Sequence, residues 1–272
     1  MTTNASTLPN AAKVRPNRIG AMFSSRKGKK VLALFLTGGF PHLGSAVEIV
    51  PRLAAAGADL VEIGIPFSDP MADGPVIQKS SMVALANGIT LLFLLDQIRK
   101  IRRSCQVPIV LMGYVNPILR YGPERFFDDA AEAGVDGVIL PELPLEEAAR
   151  FREKIVRSGL AQILLVTPTT PPERIAAIDA ASSGFLYCVA TTGVTGVGGK
   201  SAAHDYVANV RAKARKNPLL VGFGISSPDD ARRAASQSDG VIVGSALIKR
   251  FLEGETMEEV VAWVRSLKDA IG

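Results

Sequence analysis

The chain carries eight short apolar runs, each separated from the next by a stretch whose apolar residues recur at helical spacing. Val31-Leu32-Ala33-Leu34-Phe35-Leu36 is the first. It is followed by a Thr37-Gly38-Gly39 turn and a helical pattern through Val47, Val50, Leu53 and Ala54, which Gly57 ends. Pro51 falls inside that pattern and predicts a bend. The later runs are residues 59–63, 107–112, 135–140, 162–166, 184–189, 219–222 and 240–243.

Helical patterns cover 76–86, 91–103, 145–158, 171–181, 202–216 and 229–235, and one opens at Pro123 and stops at Gly134. Residues 18–23 predict a short helix closing one end of the core, and 114–122, with Asn116-Pro117, read as a loop. After the eighth run a short helix from Gly244-Ser245 ends near Leu252. Thr256-x-x-Glu259 then opens a last helix with Val260, Trp263, Val264 and Leu267 on one face. Strands that are apolar throughout, each paired with a helix in about 30 residues, predict parallel strands covered on both faces. Eight such units predict an α/β fold of the (β/α)8 TIM-barrel type, with an N-terminal helix and an extra short helix after strand 8.

Length alone, 272 residues, allows two domains. The eight-unit pattern makes it one, over 18–272, preceded by a flexible tail over 1–17 that is rich in Thr, Asn, Ala and Pro. That tail has no apolar core resembling a signal peptide, and no run reaches the roughly 18 residues of a membrane span. A cytoplasmic protein is the expectation, although a short transit peptide fits the tail as well. With 47% hydrophobic and 21% charged residues the chain can bury a large core. Two cysteines, Cys105 and Cys188, and two histidines predict neither a disulfide framework nor a metal site. The net charge of +5 is local, because Lys13, Arg15, Arg18, Arg26, Lys27, Lys29 and Lys30 all precede the first acidic residue, Glu48. Those bases form either a solvated terminus or a phosphate-binding arm.

A barrel of this type carries its chemistry at the C-terminal ends of its strands. There, Glu62 interrupts the apolar run Leu60-Val61-Glu62-Ile63, with no Lys or Arg near the ends of the adjacent strands. A buried carboxyl without a cation is driven toward its neutral form. Asp73 follows in the Pro/Gly-rich loop, and two carboxyls in unlike environments suit acid/base work, Glu62 with a raised pKa and Asp73 staying ionised. Asp69, before Pro70, is equally a turn residue. Tyr187 points into the barrel by strand parity. Gly222-Phe223-Gly224 and Gly244-Ser245 offer bare backbone N–H groups and a helix N-terminus for a phosphate, or simply serve tight turns. The missing strand-end lysine argues against Schiff-base chemistry.

The run from Leu60 through Glu62, Pro66, Asp69 and Asp73 to Gln78 closely resembles the signature of the tryptophan synthase alpha chain family. Thr37-Gly38-Gly39, Leu111 to Pro117, Ala131 to Gly137, Thr192 to Gly196, Gly222 to Ser226 and Gly244-Ser245-Ala246 extend the resemblance from about Asn17 to the end. It implies a lyase that splits indole-3-glycerol phosphate into indole and glyceraldehyde 3-phosphate with no cofactor and no metal. The indole passes to a tryptophan synthase beta chain in an alpha2-beta2 heterotetramer. By that resemblance Glu62 is the acid/base, Asp73 binds the indole N–H, and Tyr187 supports Glu62 or lines the pocket. Gly196, Gly224, Gly244 and Ser245 hold the phosphate, and Phe35, Tyr114, Ile139, Thr195, Phe223 and Ile242 border the substrate. Pro66, Asp69 and Glu142 face the partner, and 191–200 form a mobile lid.

Three positions depart from the family's usual text: Phe40 for an acidic residue, Glu142 for Asp, and the lid at Val197 to Lys200. Three other readings share these residues in part. A free-standing lyase would release indole without a partner, and a barrel that had lost catalysis would survive as an activator. A nucleic-acid binder would show steep salt dependence.

Overall fold

The computed structural model describes residues 17–26, 28–190, 199–222 and 224–272, and of 199–203 it describes the backbone. In chain order the elements are α1 (Arg18–Ser25), β1 (Val31–Thr37), α2 (Ala46–Ala55), β2 (Leu60–Gly64), α3 (Pro75–Ala86), α4 (Leu91–Ile101) and β3 (Ile109–Met112). Then come α5 (Val115–Tyr121), α6 (Pro123–Ala133), β4 (Gly137–Ile139), α7 (Leu145–Arg157), β5 (Ala161–Val166), α8 (Pro172–Ala181) and β6 (Leu186–Val189). The last are α9 (Gly199–Lys213), β7 (Leu219–Gly222), α10 (Pro228–Ala235), β8 (Gly240–Val243), α11 (Ser245–Leu252) and α12 (Met257–Ile271). The strands close into one parallel barrel in sequence order, β8 pairing back onto β1. The eight-unit reading is thus the observed fold, and α11 is the extra short helix.

Local chemistry sets the helix boundaries. Thr256 and Glu259 form the expected capping box of α12, and Ser227 with Asp230 forms another at α10. Asn17 accepts the Ile19 N–H to start α1, and Gly134 ends α6 in the left-handed region that its missing Cβ permits. Pro51 lies inside α2, which continues through it. Two expectations differ. Residues 115–121 are helical as α5, because Pro117 falls in the first turn, where its lacking N–H has no helical acceptor to lose. The helix after β6 begins at Gly199, before the predicted start near 202.

Strand parity divides the side chains into two sets. Val31, Ala33, Leu60, Val110, Ile139, Ile163, Tyr187, Leu220 and Ile242 fill the barrel, and Ile19 and Met22 of α1 close its lower end. The alternate positions, among them Leu32, Leu34, Val61, Ile63 and Leu111, pack against the surrounding helices. Trp263 belongs to this outer layer, and Arg250 lies 4.3 Å over its ring. Cys188 is likewise core, between β6 and its covering helices.

At the lower rim the odd–even strand pairs repeat one clasp. The N–H of Leu32 donates to the Asp59 carboxylate at 2.8 Å while the Asp59 N–H returns to the Leu32 carbonyl at 2.8 Å. Asp136 does the same with Ile109, and Asp239 with Leu219. Ser183 takes the role with Gln162, through a hydroxyl in place of a carboxylate. The carboxylates carry cations: Arg26 and Lys268 on buried Asp59, Arg102 and Arg18 on buried Asp136, Arg211 on half-buried Asp239. Each clasp holds the start of one strand against its neighbour and fixes the register that aims residues at the upper rim.

Removing one partner of such a buried pair leaves the other charge uncompensated. Asp136→Ala should therefore lower stability by about 3 kcal/mol or more. Truncating Asp229, whose pair with Arg232 is on the surface, should cost less than about 1 kcal/mol. Denaturant midpoints of the two variants check this, and equal losses would refute the role of the clasp.

Candidate active site

β2 delivers Glu62 to the barrel interior. Leu60 and Glu62 share the inward face, and Glu62 lies in register between Phe35 of β1 and Val110 of β3, both apolar. Its side chain is fully buried. Among the described residues neither carboxyl oxygen has a hydrogen-bond partner, and no cation pairs with it. Burial pushes its pKa up to about 8, so the group is neutral at pH 7.

Above it the upper rim holds a cavity of about 380 Å³. Phe35, Tyr187, Ile242, Asp73, Gly224, Gly244 and Ser245, each singled out from the sequence, line it. Two glycines make room for the aromatic walls. A Cβ on Gly64 would stand 2.5 Å from Phe35 Cζ, and one on Gly222 would stand 2.6 Å from the Tyr187 hydroxyl. The N-terminus of α11, at Gly244-Ser245, opens on this cavity with its first N–H groups free of helical partners. Gly224, at φ +72°, shares that wall.

Asp73 is positioned from several sides. Its N–H donates to the Pro70 carbonyl at 3.0 Å, and the Gln78 amide donates to its own carbonyl at 2.9 Å. Behind it α3 is tied to the end of β1 by a buried 2.6 Å bond between Ser80 and Thr37. Burial pushes the Asp73 carboxyl up to about 6, a hydrogen bond from Tyr114 opposes this, and the charge of Glu142 adds to it. The sequence predicts an aspartate that simply stays ionised. Half-burial brings that carboxyl closer to neutrality than an ordinary aspartate, and it remains ionised at pH 7.

Tyr187 lines the cavity but has no described hydrogen bond to Glu62, and its phenol is pushed well above the ordinary range by burial and by the Glu62 charge. Ile139 is fully buried in the barrel packing and is not among the cavity walls. Tyr114 reaches the site through the Ala72 N–H and Asp73. Gly196, Thr195 and Phe223, with the lid up to residue 198, lie outside the described residues. Thr167, Leu165 and Val189 are cavity walls that the sequence reading passes over. Strand parity held the signal, since Ile163, Leu165 and Thr167 follow one inward face.

The three residues expected to face the partner separate. Pro66 lines a wider cleft of about 710 Å³ between the β2 loop, α4 and α5, which contains neither Glu62 nor Asp73. Asp69 is a turn residue whose carbonyl accepts the Met71 N–H. Glu142 accepts the Val115 N–H at the start of α5. Among the described residues no group of three His, Cys, Asp or Glu side chains is placed to hold a metal. No single described helix is long and apolar enough to cross a membrane.

Glu62 gains a charge only at a cost in stability. Below about pH 4.5 the carboxyl is neutral whether folded or unfolded. Above that the unfolded chain ionises first, so stability falls until the folded group ionises near pH 8, and is constant beyond. Glu62→Gln removes this loss, and its melting temperature should exceed the wild type's by several degrees at pH 8.5 and match it near pH 4.5. A difference independent of pH, measured by calorimetry, would contradict the buried neutral carboxyl.

Comparison with known proteins places this geometry. The family model described as tryptophan synthase alpha chain matches residues 23–270. The alpha chain of Geobacter sulfurreducens is 50% identical over 263 residues, covering 94% of this chain and 99% of that one. That of Chloroflexus aggregans is 46% identical over 262 residues, covering 93% and 98%. The crystal structure of tryptophan synthase subunit alpha from Legionella pneumophila superposes with a TM-score of 0.87 at 38% identity, covering 94% and 99%. A chain of tryptophan synthase from M. tuberculosis, in its aminoacrylate-bound form, gives 0.84 at 34% identity, covering 94% and 100%. Sequence and closed barrel agree, and the chain belongs to the tryptophan synthase alpha chain family.

Proposed function

We infer that the chain is the lyase subunit that cleaves indole-3-glycerol phosphate to indole and glyceraldehyde 3-phosphate, and that it supplies the indole to a tryptophan synthase beta chain in an alpha2-beta2 assembly. The observation that carries the chemistry is Glu62, a fully buried carboxyl with no described partner, held neutral at pH 7 inside a barrel whose mouth also holds Asp73. Residues 18–272 would act as one catalytic domain, with 1–17 a tail outside the chemistry.

The reaction breaks the bond between indole C3 and the first carbon of the glycerol chain. Neutral Glu62 gives its proton to C3, and positive charge develops on the ring nitrogen. The carboxylate so formed, in a dry site, takes the proton of the hydroxyl on that same first glycerol carbon. The C–C bond then cleaves, its electron pair returns to the ring and neutralises the nitrogen, and the glycerol carbon leaves as an aldehyde. Glu62 ends as it began, protonated. Asp73, ionised beside the indole N–H, offsets the transient positive charge. Bare N–H groups at Gly244 and Ser245, with the backbone of Gly224 and of Gly196, would hold the phosphate, which fixes the distance from anion to reacting carbon. Phe35, Ile242 and Tyr187 supply apolar and aromatic walls for the ring.

Two titrations bound the activity. Ionised Asp73 is lost below about pH 6 and neutral Glu62 above about pH 8, so kcat/KM should form a bell between those values. Glu62→Gln should lower kcat by about 10²- to 10⁴-fold, and Asp73→Asn should abolish the acidic limb. Indole release by the purified chain, with and without a beta chain, measures all three. The partner should raise the wild-type rate, and full activity in Glu62→Gln would sink the acid/base role.

A further inference from the structure

Asp73 sits on the loop after β2, and the side chains that act on its carboxyl come from the next two strand ends. Tyr114 is the residue before α5, where its side chain makes no cap. Its hydroxyl instead accepts the Ala72 N–H at 2.8 Å, which sets it beside Asp73, where it lowers the pKa of that carboxyl. Its ring lies 5.2 Å from that of Phe67 in the same loop. The start of α5 is left to Glu142, from the loop after β4, whose carboxylate accepts the Val115 N–H. An anion at a helix N-terminus also meets the positive end of the helix dipole. Three consecutive strand ends are thus joined in series: Glu142 to Val115, its neighbour Tyr114 to Ala72 and Asp73.

We propose that Glu142 and Tyr114 are positioning residues that act as a strut, Glu142 anchoring the start of α5 so that the Tyr114 hydroxyl holds Asp73 at the cavity with its carboxylate directed inward. The role of Asp73 rests on the retro-aldol reading above; the strut itself does not. Glu142 is exposed and touches the cavity only through this relay, so its effect differs from that of a wall residue. The two members pull Asp73 in opposite electrostatic directions. The Tyr114 hydrogen bond favours the ionised carboxyl, and the Glu142 charge disfavours it. Among the described residues the titratable groups acting on Asp73 are these two, with Tyr187 sharing the cavity with it.

The test is a pH titration of the Asp73 carboxyl by ¹³C NMR in the full chain, paired with the acidic limb of kcat/KM. Glu142→Gln keeps an oxygen for the Val115 N–H and loses the charge. Its Asp73 midpoint should move down by about half a pH unit or less, since the charge is exposed. Tyr114→Phe loses the donor, so the midpoint should move up and kcat/KM at pH 7 should fall roughly tenfold, the scale of one hydrogen bond to a charged group. Glu142→Asp should restore the wild-type midpoint.

Midpoints that stay fixed in both Glu142→Gln and Tyr114→Phe, or that move in the same direction, would overturn the strut. Lower melting temperatures without any shift in midpoint would also overturn it, leaving only a structural role. The NMR midpoints need no substrate. Opposite shifts together with no indole release by the wild type would therefore refute the reaction and leave the strut standing.

Discussion

A parallel strand in a closed barrel has only two destinations for its side chains, the interior or the helical shell, and they alternate. Leu60, Glu62 and Gly64 share the interior face of β2, and this forces a carboxyl into a space otherwise filled by Val110, Ile139, Tyr187 and Ile242. Nothing in the rest of the chain relieves it: no described cation or hydrogen-bond donor reaches its oxygens. The neutral state of Glu62 is therefore a property of barrel closure more than of any local contact. The glycines that let Phe35 and Tyr187 approach, the bare N-terminus of α11 and the loop bearing Asp73 are arranged around that constraint.

The two rims of the barrel divide the charged residues between them. At the lower rim Asp59 and Asp136, both buried, and the half-buried Asp239 are paired and bonded to strand N–H groups, which spends their charge on register. At the upper rim Glu62 is buried without a partner and Asp73 is half-buried with one hydroxyl donor. Carboxyls thus stabilise at one end and are left reactive at the other, because among the described residues cations pair with those of the lower rim and not with Glu62 or Asp73. Secure strand starts allow unpaired carboxyls at the strand ends.

Much of this was legible in the text of the chain. The eight apolar runs, the capping box at Thr256, the extra helix at Gly244 and the odd placement of Glu62 are one-dimensional signals, since each depends on residues adjacent or at a fixed period. Where the reading erred, the deciding partner was distant or the local rule had an exception. Pro117 looked like a helix breaker because Pro usually is one, yet the first turn tolerates it. Asp73 looked fully ionised because its burial and its neighbours Tyr114 and Glu142 come from loops 41 and 69 positions downstream. Thr167 was passed over although the parity of β5 pointed to it.

Sequence alone therefore determined the fold class, the order of elements, the two carboxyls and the family they resemble, because periodicity and motif spacing are written along the chain. Tertiary structure alone decided how dry Glu62 is, how far Asp73 is displaced from an ordinary aspartate and what Glu142 touches. Desolvation and hydrogen bonding between strand ends arise only when the barrel closes and brings together residues that the chain keeps far apart.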